Sequence, residues 1–140
     1  MIQRRQTLWL LLATVCAFLS FRFPFVTGKE VISANTAPTD IDVDAASNFF
    51  LLILTVASIA VSFITIFLFK DRKLQLKLVL LGILLSLGII TMYVVQYLKV
   101  LTPTLALWCI LPVIVFASYL MAYRGIRSDE KLVKSLDKLR

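Results

Sequence analysis

The chain has 140 residues, 60% of them hydrophobic and only 16% charged, yet its net charge is +7. Soluble domains run at roughly 45–50% apolar and about 25% charged. This composition excludes disorder, and it argues against a soluble globular domain, which must cover its surface with polar groups.

In chain order, Gln6 to Phe21 carries no charge and continues beyond Arg22 through Phe23-Pro24-Phe25-Val26. A crossing helix needs about 20 apolar residues. Arg22 would lie about 24 Å along a helix begun at Gln6, near the far headgroups, where its side chain can snorkel outward. The first span is therefore placed at residues 6–26, with Pro24 helping to end it. The stretch also outlasts the h-region of a cleaved signal peptide. Residues 28–46 form an acidic loop with Glu30, Asp40, Asp42 and Asp44. Its Asp-x-Asp-x-Asp opening resembles a calcium loop, but Ala45 and Leu51 stand where Gly and Glu are required. Three further uncharged runs place spans at 47–69, 77–98 and 102–123. Pro112 falls within the last and is expected to kink it. Ser128 can cap a tail helix over 128–140, with Asp129 and Glu130 in its first turn. Leu132, Val133, Leu136 and Leu139 give that tail an apolar stripe ringed by Lys131, Lys134, Lys138 and Arg140.

The expected fold is all-α: an integral membrane four-helix bundle, antiparallel and up-down-up-down, plus a short cytoplasmic amphipathic C-terminal helix. Lipid tails give helices no hydrophobic reason to associate, so contacts should use small residues. The candidate pairs are Ala13 and Ala17, Ser58 and Ser62, Gly82 and Ser86, and Ser118 and Ala122. Trp9, Phe67, Phe69, Tyr119 and Tyr123 are expected at the inner interface, and Tyr93, Tyr97 and Phe49 at the outer one.

Orientation follows from the cations. With an even number of spans, one side holds Arg4, Arg5, Lys70, Arg72, Lys73, Lys77, Arg124, Arg127, Lys131, Lys134, Lys138 and Arg140; the other holds only Arg22, Lys29 and Lys99. Twelve against three puts both termini in the cytoplasm. The net charge is thus an orientation signal and a footprint for anionic lipid, with no call for nucleic acid. Those twelve residues are the candidate contacts for lipid or for a partner.

Catalytic chemistry has little to build on. There is no histidine, which removes Ser-His, Cys-His and HExxH arrangements. Cys16 and Cys109 are far apart in apolar runs, which supports neither a disulfide framework nor a zinc site. No catalytic, cofactor-binding or metal-binding residue is assigned, and no cofactor is expected. No Asp or Glu lies within the spans to couple transport to protons. The leading expectation is a non-enzymatic membrane scaffold or accessory subunit that contacts anionic lipid and a protein partner or a second copy of itself. The alternative is a small oligomeric transporter or channel using the polar stripe Thr55, Ser58, Ser62 and Thr65.

Three patches carry a family likeness: Met1-Ile2-Gln3-Arg4 with Gln6-Thr7; Ile66 through Gln75; and the closing Arg124, Ile126, Arg127, Asp129 to Val133 and Asp137 to Arg140. They resemble a family of small four-span membrane proteins from Bacteroidota, catalogued only as a domain of unknown function. The resemblance covers essentially the whole chain. It implies four helices in the inner membrane and supplies no activity.

Overall fold

The computed structural model describes residues 3–30, 39–68, 71–100 and 103–138. Four helices make up most of it: α1 (Gln3–Leu19), α2 (Phe49–Phe67), α3 (Arg72–Lys99) and α4 (Ile110–Lys138). A small sheet lies among them, built from β1 (Val26–Glu30), β2 (Thr39–Val43) and β3 (Thr104–Leu105). Among the described residues, α2, α3 and the stretch Leu107–Val133 are long and apolar enough to cross a membrane; α1 offers a shorter apolar stretch, Gln6–Leu19.

Each helix buries one seam at alternating steps of three and four residues. In α2 the seam is Leu51, Thr55, Ser58, Ser62 and Thr65; in α3 it is Gln75, Val79, Gly82, Ser86, Ile89 and Tyr93. Leu10, Ala13 and Ala17 continue the pattern in α1, and Leu111, Val115, Ser118 and Ala122 in α4. This spacing averages about 3.5 residues, the repeat that keeps one helix face against its neighbours. Contacts run α1 to α4, α4 to α3, α3 to α2 and α2 to α1. Every member of the four small-residue pairs is buried. Large apolar side chains face outward instead: Phe49, Phe50, Phe63 and Phe67 are each more than half exposed. The polarity is therefore inverted relative to a soluble helix bundle.

The first expected span is shorter than 6–26 because helix α1 stops at Leu19. The Ser20 hydroxyl donates to the Ala17 carbonyl at 2.6 Å, and the Phe21 and Arg22 amides reach back only three residues. The chain then unwinds into β1, whose partners satisfy its backbone. Phe25 N donates to Val43 O at 2.7 Å and Ala106 N to Phe25 O at 3.1 Å. The Asp40–Asp44 segment, expected to be loop, is largely strand β2, and its residues alternate with period two as strands require. β1 is central and antiparallel to both neighbours, pairing Val26 with Val43, Lys29 with Asp40 and Thr27 with Thr104. Val26 is fully buried in a cluster with Val43, Leu51, Ile89, Tyr93 and Val100, so the sheet is bolted to the helices. After it, the Asp44 carboxylate accepts from Ala46 N at 2.9 Å, and Asn48 caps α2 by accepting from Phe50 N at 3.0 Å.

The fourth helix departs from expectation at both ends. It begins at Ile110, after the 3-10 turn Leu107–Cys109, rather than near residue 102. Pro112 consequently lies in its first turn, where a missing amide proton costs nothing, and not in mid-span. At the other end α4 runs unbroken to Lys138. The separate tail helix is absent among the described residues; its sequence is the last turns of α4. Helix α4 is about 43 Å long at 1.5 Å per residue, longer than a hydrocarbon layer of about 30 Å.

Candidate functional site

All four helices meet at the end of the molecule opposite the sheet. The Gln6 amide of α1 donates to the Asp129 carboxylate of α4. Arg72 at the start of α3 donates to the Asp129 carbonyl at 3.4 Å. Gln75, one turn further on, donates to the Thr65 carbonyl near the end of α2 at 3.3 Å. Gly125 permits the α1–α4 approach: a Cβ there would stand 2.9 Å from Gln6 Cγ. Ile126 beside it is 1% exposed. These contacts explain why no hinge separates span from tail. Gly125 is a point of close contact, and the residue expected to cap a new helix, Ser128, simply continues the old one.

This end gathers the candidate basic residues from separate parts of the chain. Lys73 and Lys77 are exposed on α3, and Arg72 is half-buried beside Asp129. Arg124, Arg127 and Lys131 are exposed on α4. Their spacing of three and four residues puts them on one face of that helix. They border an open recess of about 550 Å³ with Tyr123 and Ser128. Arg124 and Ser128 also close one end of a second depression, about 910 Å³, that runs between α1 and α4 past Leu8, Leu12 and Val15. Lys70 and Arg140 lie outside the described residues, as do the side chains of Arg4, Arg5, Lys134 and Lys138.

The opposite end carries the other charge group. Arg22, Lys29, Asp40 and Asp42 are exposed around the sheet. Aromatic stacks tie this end together, Phe23 on Trp108 at 4.0 Å and Phe25 on Tyr93 at 4.4 Å between ring centroids. Tyr93 is thus a buried packing residue, not an interfacial one.

The polar stripe of α2 turns inward. The Tyr119 hydroxyl donates to the Ser58 carbonyl at 2.7 Å and lies 3.2 Å from the Ser58 hydroxyl. Tyr119 is fully buried and so does not line an interface. Thr14 and Ser62 share a hydrogen bond of 2.7 Å. Thr55 and Thr65 donate to carbonyls of their own helix at 2.8 and 2.5 Å. The stripe therefore joins α2 to α1 and α4. Near Ser20, Thr55 and Ser86 a cavity of about 10 Å³ remains, roughly the space of one water. Cys16 is buried and Cys109 half-buried, both as free thiols.

Sequence reading missed the Gln6–Asp129–Arg72 junction, for which no one-dimensional signal exists. It also missed the sheet, for which the alternation of Asp40 to Asp44 was a signal.

No curated protein matches the chain. No solved structure matches it either. The family model described as Domain of unknown function (DUF4293) matches residues 2–139, and the chain belongs to that family.

Proposed function

We propose that this chain is a non-enzymatic, multi-pass protein of the inner membrane that contacts anionic lipid and partner proteins through its basic end. Four helices cross up-down-up-down, with both termini cytoplasmic and the acidic sheet outside. The observation that carries this reading is the gathering of Arg72, Lys73, Lys77, Arg124, Arg127 and Lys131 at one end of helices whose outer faces are apolar. An apolar band of that extent is stable against lipid and unstable against water. Cations beside it favour the cytoplasmic leaflet, where each Lys or Arg near an anionic surface is worth about 1 kcal/mol. Oppositely placed contacts support the up-down order: Gln6 meets Asp129, whereas Ser20 meets Ala45 at the other end.

Crosslinking with mass spectrometry in native membranes tests the proposal at Lys73, Lys77 and Lys131. Recurrent crosslinks from these lysines to a defined protein are expected. Recovery of the chain with no crosslinked protein would count against a scaffold role.

A further inference from the structure

The groove between α1 and α4 is the feature that the basic end by itself does not explain. Its walls are Leu8, Leu11, Leu12 and Val15 of α1 and Met121 of α4, all exposed. Its volume, about 910 Å³, suits a ligand and not a packing defect. From Val15 to Gln6 it extends about 14 Å at 1.5 Å per residue, roughly half of a 30 Å hydrocarbon layer and so the depth of one leaflet. One end is polar, closed by Gln6, Arg124 and Ser128.

Beyond that end the same residues open into the second recess. Arg124, Ser128 and Lys131 follow one another at four- and three-residue steps, with Arg127 beside them. Among the described residues, no acidic side chain lines either recess. The nearby Asp129 is engaged, its carboxylate accepting from the Gln6 amide. An apolar slot one leaflet deep thus leads into a ladder of guanidinium, hydroxyl and ammonium groups. Arg pairs with phosphate through parallel N–H donors, and an acyl chain asks only for apolar walls.

We infer that this groove holds one acidic glycerophospholipid, its acyl chain between α1 and α4 and its headgroup phosphate against Arg124 and Ser128, with Arg127 and Lys131 taking a further negative charge. The inference rests on the membrane orientation proposed above and goes beyond it: a site lipid is bound at a defined place, whereas Lys73 and Lys77 attract anionic lipid without selecting a position.

Trp9 lines the groove, while Trp108 stacks on Phe23 at the opposite end, so a Trp108→Phe chain reports the groove alone. The test is quenching of Trp9 fluorescence in bilayers by phosphatidylglycerol brominated on its acyl chains, compared with equally brominated phosphatidylcholine. Half-quenching is expected at a mole fraction at least fivefold lower for the glycerol lipid. Arg124→Ala with Arg127→Ala should abolish the difference, and Val15→Trp, read in a chain that keeps bound phosphatidylglycerol counted by native mass spectrometry, should lower retention without changing charge. Lys73→Ala with Lys77→Ala should reduce the preference far less, because these lysines add only general attraction to anionic lipid. Equal quenching by the two lipids overturns the site. So does a loss of preference in the Lys73/Lys77 variant as large as in the Arg124/Arg127 variant, an outcome that leaves general attraction to anionic lipid standing. Failure of the scaffold reading is seen separately, in the absence of protein crosslinks.

Discussion

Gly82 and Gly88 lie on the same helix, yet replacing each by alanine should move stability in opposite directions. A Cβ at Gly82 would approach Tyr119 Cδ1 and Cζ to 2.7 Å, well inside the 3.4 Å at which ordinary contact begins. The ring cannot simply retreat, because its hydroxyl is held by the Ser58 carbonyl at 2.7 Å. Overpacking of this kind costs about 1–3 kcal/mol, and a displaced hydroxyl adds about 1 kcal/mol. Removing a helix glycine returns about 0.5–1 kcal/mol. Gly82→Ala should therefore lose about 1–3 kcal/mol net, roughly a 5- to 140-fold drop in the folded-to-unfolded ratio. At Gly88 the nearest atom to a new Cβ is Leu54 Cδ1 at 3.6 Å, an ordinary contact, so Gly88→Ala should keep the helix gain and be slightly more stable. Reversible unfolding in mixed micelles with rising dodecyl sulfate, followed by tryptophan fluorescence, measures both. In a Tyr119→Leu background the cost of Gly82→Ala should largely vanish, since the two sites are coupled. Equal stability of the two alanine variants, or an undiminished cost in the leucine background, would refute the reasoning.

Three further outcomes are expected in the same assay. Ser118→Ala should be neutral or stabilising, because the Ser118 hydroxyl is buried with no partner among the described residues and its desolvation is uncompensated; a loss beyond about 1 kcal/mol contradicts this. Pro112→Ala should cost only the buried ring carbons it removes, about 1–2 kcal/mol, and nothing for a backbone bond, since Pro112 is buried in the first turn of α4 and has no helical acceptor to miss; a loss beyond about 3 kcal/mol, or a gain of that size, as removing a proline misplaced in a helix would give, contradicts this. Gln6→Leu should cost about 1.5–3 kcal/mol, the range for a hydrogen bond to a charged group, because it strips the donor from Asp129. The same change should also increase hydrogen exchange at the amides of residues 125–131, where α4 loses its tie to α1.

The small-residue pairs show how much of the packing is legible in one dimension. Ala13, Ala17, Ser58, Ser62, Gly82, Ser86, Ser118 and Ala122 are all buried, as their four-residue spacing leads one to expect. The candidate site was legible only as a set of cations. That Arg72 and Arg124 stand at the same end depends on helix pairing, and Gln6 and Asp129 are 123 positions apart in the chain. Gly125 is instructive because local reasoning gives the wrong sign: read alone, a glycine before Ser128 suggests a joint, whereas its missing side chain is what admits Gln6.

Hydropathy and the order of charges along the chain are sufficient for the apolar runs and for their helical character, since both depend on local composition and on the need of buried backbone groups to pair internally. The ends of the helices were decided elsewhere. Leu19 is the last residue of α1 because Phe25 and Val26 find better partners in β2 and β3 than in a continued helix. Tyr93 and Tyr119 are core residues because Phe25 and Ser58 are brought to them by other elements. Helix α4 continues through the expected break because α1 and α3 grip it at Gly125 and Asp129. In each case the deciding partner is distant in sequence, and packing free energy outweighs local propensity where the two compete.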